Sequence, residues 1–207
     1  MSTCIYLVRH GKTDKSKLVT VGDELEGHQE ATLDDSFIPK IEEFSEKLKN
    51  ENITKVYSSN FVRTKKTADI LSNGLEVKVD DRLKERAGGI PNLDITPQEY
   101  YKMQVDNPDF KFPEGESVNE IMSRMYDAIT DMIKENKGGN TLVVSHGAAI
   151  TFLLMKWCRV DVIDVPKKIR RFEYNGKVIH EGICNFIQCF KLTFDDEDRL
   201  VNIEVFN

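Results

Sequence analysis

Hydrophobic residues recur along this chain in two patterns, as short continuous runs and as stripes at helical spacing. Continuous apolar runs at 4–8 and 142–144, the second preceded by Thr141, are typical of strands that are buried on both faces. Stripes at helical spacing predict a helix at 38–48 and a long one from residue 118, and Asn73-Gly74 ends a further helix predicted at 62–71. Strands that alternate with helices in this way favour an α/β fold around a mostly parallel sheet.

Weaker patterns and capping signals predict the other elements. Thr96 and Ser117 each precede a Glu by three residues, which is the capping box that begins a helix. The segments 12–37 and 80–93 show no period and are predicted loops. The remaining predicted elements are strands at 55–58, 76–79, 183–192 and 200–206 and a helix at 148–158.

Both long apolar runs stop abruptly at a histidine followed by a glycine. The first run leads into Arg9-His10-Gly11 and the second into Ser145-His146-Gly147, in a chain that has only four histidines. Ligands of open α/β sheets bind outside the carboxyl ends of such strands, so both histidines lie where a site is expected. Histidine can act as a nucleophile and arginine can bind an anion. Gly11 can adopt backbone angles closed to other residues and lets an anion approach the main chain.

Further motifs follow in a fixed order over most of the chain. They are Arg9-His10-Gly11, Val56-Tyr57-Ser58-Ser59, Arg63, Thr64, Thr67, Ala68, Glu85, Gly115-Glu116-Ser117 and Ser145-His146-Gly147. In this order the sequence resembles the histidine phosphatase superfamily, also called the phosphoglycerate mutase-like family. The resemblance implies a three-layer α/β/α fold with a mostly parallel central sheet. We expect a single domain over 1–207, with a small cap-like excursion at about 86–116.

The resemblance also implies a metal-independent phosphomonoesterase that forms a phosphohistidine intermediate on His10. Glu85 is the implied general acid for the leaving alkoxide and then the base that activates water. Arg63 lies in the first turn of a predicted helix, where a cation is poorly placed unless an anion binds there. The helix predicted at 148–158 begins beside His146, and its free N–H groups are expected to face a bound phosphate. The implied catalytic residues are Arg9, His10, Arg63, Glu85 and His146, and the implied substrate contacts are Arg9, Gly11, Thr13, Ser16, Arg63, Glu85, His146 and Gly147.

Two other functions remain open. A phosphoglycerate mutase uses the same first half-reaction but returns the phosphoryl group to the substrate. A non-catalytic protein could recognise phosphorylated ligands through the same pocket, although the presence of all five catalytic residues argues against this. Against the mutase, Lys15 and Ser16 stand where relatives often have Trp-Asn. The natural substrate is therefore not assigned by the sequence.

Composition narrows the expected partners. The chain has 29 basic and 35 acidic residues and a net charge of −6, so it lacks the basic surplus of a nucleic-acid binder. No apolar run approaches the roughly 18 residues of a membrane span, which favours a cytoplasmic enzyme.

The four cysteines lack metal-ligand spacing and are predicted to be buried thiols. The two arginines beside the histidines would oppose a divalent cation. We expect a phosphorylated small molecule as substrate and neither cofactor nor metal, and the sequence does not indicate the oligomeric state.

Two charged segments and two histidines have no clear assignment. The acidic segment 23–35 is predicted to be a solvated loop, with a role at the pocket mouth as the alternative. The basic run 167–171 is predicted to be a solvated face, with substrate steering as the alternative. His28 and His180 have no partner in the sequence and are predicted to lie at the surface.

Overall fold

The computed structural model describes residues 2–14, 16, 19–21, 24–26, 30–90, 92, 94–164, 166–167 and 169–206, with the backbone alone at 19–21, 24–26 and 97. Its strands are β1 (Thr3–Arg9), β2 (Val19–Val21), β3 (Glu24–Glu26), β4 (Ile53–Ser58), β5 (Val77–Val79), β6 (Asn140–Ser145), β7 (Arg159–Asp164), β8 (Ile169–Tyr174), β9 (Lys177–Gly182), β10 (Cys189–Phe194) and β11 (Leu200–Phe206). Its α-helices are α1 (Ile38–Leu48), α2 (Val62–Leu71), α3 (Pro97–Asp106), α4 (Val118–Glu135) and α5 (Gly147–Leu154). Single 3₁₀ turns occur at Asp35–Phe37, Lys49–Glu51 and Asp81–Leu83.

The central sheet has six strands in the order β11-β10-β1-β6-β4-β5. Strands β1, β6, β4 and β5 run parallel, while β10 and β11 add an antiparallel edge. The predicted α/β fold with a mostly parallel sheet is therefore confirmed. Arg9 lies opposite Ser145 in the register of β1 and β6. Because the two strands end at the same edge of the sheet, His10 and His146 follow them side by side.

Alternate residues of β1 face two different hydrophobic cores. Ile5 and Leu7 are buried with residues of α4 and α5, whereas Tyr6 and Val8 are buried with residues of α1 and α2. Helices thus cover both faces of the sheet, which confirms the predicted three layers. The arrangement also explains why the run 4–8 is apolar throughout, because no position of this strand faces solvent.

The predicted cap-like excursion, 86–116, contains α3 between two irregular stretches. Thr96 caps α3 in a capping box with Glu99, and the capping box predicted at Ser117 is also present. Tyr100 of α3 stacks on Phe112, with ring centroids 4.2 Å apart. The excursion therefore has its own aromatic contact between the helix and the returning chain. The single domain over 1–207 stays a prediction.

The segment between α5 and β10 differs from the sequence prediction. The helix predicted at 148–158 ends at Leu154, and the strand predicted at 183–192 begins only at Cys189. Between them, β7, β8 and β9 form a separate antiparallel sheet. Part of the basic run lies in β8, where charged side chains conceal the period of two that marks a strand. Lys168 of that run lies outside the described residues.

Smaller differences concern the loops and the unassigned histidine. The segment 12–37, predicted as a loop, contains the antiparallel pair β2 and β3. His180 is half-buried rather than at the surface, with its ring between those of Phe172 and Phe190 at centroid distances of 6.2 and 5.5 Å. His28 lies outside the described residues.

All four cysteines are free thiols, three of them buried. Within the described part of the chain, no helix combines the length and the hydropathy that a bilayer crossing needs.

Candidate active site

His10 is held in one orientation by backbone contacts at the end of β1. Its N–H donates to the Ser145 carbonyl at 3.0 Å, and its ring Nδ1 lies 2.7 Å from the Gly11 carbonyl oxygen. A carbonyl oxygen can only accept, so Nδ1 carries the proton and Nε2 keeps its lone pair. The Arg63 Nε donates to that Nε2 at 3.2 Å. His10 therefore presents an unprotonated nitrogen beside a guanidinium, and this lone pair becomes available for nucleophilic attack when a bound anion takes over the Arg63 N–H.

Arg63 connects the two histidines of the predicted site. It occupies the first turn of α2 and is only 1% exposed. Its Nη2 lies 3.2 Å from the His146 Nδ1, and its guanidinium lies 4.7 Å from the centre of the Phe61 ring. Burial lowers the pKa of Arg63 to about 10. A cation buried at the positive end of a helix is costly, and a bound anion would offset that cost.

His146 is fully buried, and a chain of hydroxyl groups fixes its ring. Its Nε2 lies 2.8 Å from the Ser59 Oγ, which lies 2.6 Å from the Thr64 Oγ1. Thr64 donates its hydrogen to the Phe61 carbonyl at 2.8 Å, so in this arrangement Ser59 donates to Thr64 and accepts from His146. The proton of the neutral imidazole then lies on Nε2, and Nδ1 accepts from Arg63. Ser59 and Thr64 belong to the sequence motifs, but their role in orienting His146 emerges only from these contacts.

Arg9 lies across the glycine that begins α5. A Cβ atom on Gly147 would come within 3.2 Å of the Arg9 Nε, so any other residue there would require the guanidinium to shift by a few tenths of an ångström. Arg9 donates to the Cys184 carbonyl, and its guanidinium stacks 4.2 Å from the centre of the Phe186 ring. Its Nε is buried without a hydrogen-bond partner among the described residues. Burial also lowers the pKa of Arg9.

The loop 183–188 was missed by the sequence analysis because it was predicted as a strand. In the structure it connects β9 to β10 and supplies both Cys184 and Phe186 to the site. Two backbone hydrogen bonds attach it to the end of β1, from Arg9 N–H to the Gln188 carbonyl and from Ile187 N–H to the Arg9 carbonyl, both at 3.0 Å. Ile187 has a φ of 54°, a left-handed value that an extended strand does not contain.

Glu85 corrects the prediction for the start of α5. The N–H groups of Ala148 and Ala149 donate to the Glu85 carboxylate at 3.4 and 3.1 Å instead of remaining free. The Arg86 N–H donates to the same carboxylate at 2.9 Å. The charge of Glu85 also raises the pKa of both Arg9 and Arg63 and so partly opposes the effect of burial. The structure thus brings the predicted acid into electrostatic contact with the predicted anion site.

Arg124 of α4 fixes the loop that carries Glu85. Its guanidinium donates to the backbone carbonyls of Arg82, Lys84 and Glu85 at 2.7, 2.9 and 3.4 Å. The other side of the guanidinium forms a two-point ion pair with Glu116 at 2.6 and 2.9 Å. Glu116 in turn accepts from the Ala87 N–H at 2.9 Å. The Gly115-Glu116-Ser117 motif therefore acts on the site through the position of this loop.

The remaining predicted substrate contacts have mixed placements. Gly11 does not have left-handed backbone angles, so its requirement is space, since a Cβ there would lie 2.6 Å from the Ile41 Cδ1. Thr13 forms a backbone bridge to Leu33, and Ser16 is exposed with its N–H bonded to Asp14. Neither residue lines the large pocket beside Arg9 and Glu85, as far as the described part of the chain defines that pocket. Their contact with substrate stays a prediction.

An open pocket of about 700 Å³ lies beside these groups. Its walls are formed by residues of β1, α3, α5 and β8, by Glu85 and Arg86, by Lys167, and by the loop 183–188. Its volume is far larger than a phosphoryl group, so it can hold the rest of a substrate. Among the described residues, no group of three or more metal-ligating side chains is placed to hold a metal ion. The lining residues that bear charge or a phenol hydroxyl include Arg9, Glu85, Arg86, Tyr101, Lys167 and Arg170.

Comparisons with known proteins agree with this geometry. A family model described as the histidine phosphatase superfamily (branch 1) matches residues 5–175. Probable phosphoglycerate mutase GpmB from Yersinia pestis is 33% identical over 159 residues, which cover 72% of this chain and 72% of that protein. A mycobacterial glucosyl-3-phosphoglycerate phosphatase superposes with a TM-score of 0.68 at 19% identity, covering 99% of this chain and 97% of the other. A phosphoserine phosphatase from Entamoeba histolytica, in complex with phosphoserine, superposes with a TM-score of 0.66 at 18% identity, covering 98% and 96%. These two structures share the fold of this chain.

Proposed function

Because the chain belongs to the histidine phosphatase superfamily, we propose that it hydrolyses a phosphorylated small molecule through a phosphohistidine intermediate on His10. One observation carries the proposal. The His10 Nδ1 is bonded to the Gly11 carbonyl, while its Nε2 lies 3.2 Å from the Arg63 Nε. The nucleophilic atom and the anion-binding group therefore lie in hydrogen-bond contact, and both side chains are buried. The location of the protein in the cytoplasm stays a prediction.

The first step is the transfer of the phosphoryl group to His10. The Nε2 lone pair forms the N–P bond while the ester P–O bond breaks, and the electron pair leaves with the alkoxide oxygen. Arg9 and Arg63 stabilise the charge on the phosphoryl oxygens, and His146 adds a third donor once a proton on its Nδ1 replaces the contact with Arg63. A protonated Glu85 gives its proton to the alkoxide, which then leaves as an alcohol.

The second step returns the enzyme to its starting state. Glu85, now a carboxylate, removes a proton from a water molecule that attacks phosphorus from the side vacated by the alcohol. The N–P bond breaks, its electron pair returns to Nε2, and inorganic phosphate leaves. Of the two N–H contacts of Glu85 with α5, the one from Ala148 is long at 3.4 Å and the one from Ala149 is an ordinary hydrogen bond at 3.1 Å, so the carboxyl group gives up one full hydrogen bond there when it turns to substrate.

A phosphoglycerate mutase is the second candidate, and the name of the Yersinia relative favours it. Both functions share the first step and differ in the acceptor of the phosphoryl group. The open pocket of about 700 Å³ lets water reach the intermediate, which supports hydrolysis. The two functions are separated by incubating the protein with 3-phosphoglycerate and a bisphosphorylated primer. Release of inorganic phosphate supports hydrolysis, whereas faster transfer between the two hydroxyl groups would make the protein a mutase.

The test of the intermediate combines a substrate screen with rapid quenching. A set of phosphorylated metabolites is screened for release of inorganic phosphate, and the best substrate is then used with a radiolabelled phosphoryl group. We expect acid-labile, base-stable label on the wild type and on a His180→Gln control, because His180 lies outside the site. We expect none on His10→Ala. Equal acid-labile label on His10→Ala would refute the assignment of the nucleophile.

A further inference from the structure

Arg170 is a cation for which the catalytic steps give no role. It lies in β8, half-buried, with its guanidinium 4.7 Å from the Tyr101 ring centre and 5.6 Å from that of Phe152. Among the described residues, no carboxylate pairs with it. Its neighbour Arg171 differs, since it forms an exposed ion pair with Glu181 at 2.6 Å. The basic run 167–171 is therefore divided, with Arg171 in solvent and Arg170 in the wall of the large pocket.

Two more donors near Arg170 lack an anionic partner. The Tyr101 Oη is buried without a hydrogen-bond partner among the described residues. The Arg86 side chain donates to the neutral Gln104 Oε1 at 2.6 Å. Among the described residues, this is its only side-chain hydrogen bond. Burial lowers the pKa of Arg170, and the positive charge of Arg86 lowers it further. Two like charges and a buried hydroxyl at one place are unfavourable unless a ligand brings acceptor atoms to them.

The same pocket contains groups of the reaction site. Arg9, Glu85 and Gly147 line it together with Arg86, Tyr101 and Arg170. Glu85 is its one carboxylate among the described lining residues, against four cations. The fourth cation, Lys167, is already paired with Asp164 at 3.3 Å and is largely exposed. The pocket thus has a strong local excess of positive charge in a chain whose net charge is −6.

We propose that Arg170, together with Arg86 and the Tyr101 hydroxyl, forms a second anion subsite that binds the end of the substrate away from the transferred phosphoryl group. This inference rests on the proposed function for the phosphoryl end. The substrate class is then a phosphomonoester with a second anionic group, either a carboxylate or another phosphate. A planar guanidinium binds both of these groups through two parallel hydrogen bonds. The neighbouring rings of Tyr101 and Phe152 hold the Arg170 guanidinium in place, so little side-chain entropy is lost on binding.

The test uses pairs of substrates that differ only in the distal charge. A series of ω-phosphooxy carboxylic acids of increasing chain length is compared with the corresponding carboxamides, and α,ω-diol bisphosphates are compared with the monophosphates. We expect kcat/KM of the wild type to favour the charged member about 10- to 100-fold at one chain length, mostly through a lower KM, because a hydrogen bond to a charged group is worth that much. The two series distinguish a carboxylate from a phosphate.

Variants of neighbouring residues assign the preference to Arg170. In Arg170→Gln the ratio of kcat/KM for the acid to that for the amide should fall several-fold toward one, with partial recovery in Arg170→Lys. Tyr101→Phe, which removes only the hydroxyl, should also reduce this ratio. It is the substitute test of the subsite if Arg170→Gln does not fold. The matched control Arg171→Gln should keep the ratio of the wild type. An unchanged ratio in both Arg170→Gln and Tyr101→Phe, or no preference of the wild type at any chain length, would overturn the subsite.

A binding measurement separates this inference from the proposed function. Isothermal titration of the wild type with the acids and amides detects the subsite without turnover. A charge preference in binding, with no release of phosphate from any substrate, would refute the phosphatase and support the subsite. Turnover with equal binding of acid and amide would refute the subsite and support the phosphatase.

Discussion

At the scale of single residues, Glu85 has the most demanding role. In the proposed mechanism it carries a proton in the first step and accepts one in the second, and its carboxyl group also accepts three backbone N–H groups. Arg63 has a simpler role, because the charge that it stabilises lies on the phosphoryl group whichever alcohol leaves. The two residues should therefore differ in their response to the leaving group.

Glu85→Gln tests this difference directly. It should slow phosphorylation by an alkyl phosphate about 10²- to 10⁴-fold, yet spare nitrophenyl phosphate, whose acidic leaving group needs no proton. Arg63→Ala should slow both substrates. Single-turnover phosphorylation is the quantity to measure, since Glu85 also serves the later hydrolysis. Equal slowing of both substrates by Glu85→Gln would make Glu85 a positioning residue only.

At the scale of elements, the long helix α4 controls the loop that carries Glu85. Arg124 donates to backbone carbonyls of this loop and pairs with Glu116, and both side chains are mostly buried, at 14% and 16% exposure. Gly115 supports the same loop, because a Cβ there would lie 2.9 Å from the Gly88 carbonyl oxygen. The helix and the loop thus behave as one unit in the positioning of the acid.

Arg124→Met should therefore impair the acid step from a distance. Removal of one partner of a buried ion pair costs about 3–5 kcal/mol, so the free energy of unfolding should fall. A displacement of Glu85 by about 1 Å can cost about 10²-fold in rate, and the loss should be larger for alkyl than for aryl phosphates. Arg199→Met, at an exposed ion pair with Asp195, is the control. If Arg124→Met slows both substrate types equally, its effect is general destabilisation.

At the scale of the whole molecule, the site concentrates buried positive charge in an acidic chain. Burial lowers the pKa of Arg9, Arg63 and Arg170. A cation whose pKa is lower in the folded than in the unfolded state costs stability wherever it is charged, and this cost is relieved only as the pH rises through the folded pKa. At neutral pH the cost is present in full, so the empty site destabilises the fold and an anion should stabilise it.

Inorganic phosphate should therefore raise Tm. At about 100 times its Kd the ligand adds ~2.7 kcal/mol, which corresponds to a rise of about 5–10 °C for a chain of this size. Differential scanning fluorimetry at constant ionic strength measures the shift. Arg63→Ala should lose most of it, while Arg171→Gln, with its exposed ion pair, should keep it. A full shift in Arg63→Ala would mean that phosphate binds elsewhere.

The sequence by itself determined the α/β architecture, the two strand ends that carry His10 and His146, and the membership of Arg63 and Glu85 in one family motif set. These features are encoded locally, because an apolar run that ends in polar residues marks a buried strand and its exposed end within a few positions. The capping boxes of α3 and α4 are equally local, and both were predicted correctly.

Only the tertiary structure decided what surrounds those residues. Arg9 meets the Cys184 carbonyl 175 positions away, and Arg124 meets the Glu85 carbonyl 39 positions away. Arg170 of β8 meets the Tyr101 ring of α3, although the charged neighbours of Arg170 made that strand unrecognisable in the sequence. Periodicity reports the burial of each element separately, whereas such contacts depend on which elements become neighbours. The motifs of the proposed catalytic site can thus be identified in the sequence, whereas the large pocket beside them arises from packing between distant segments.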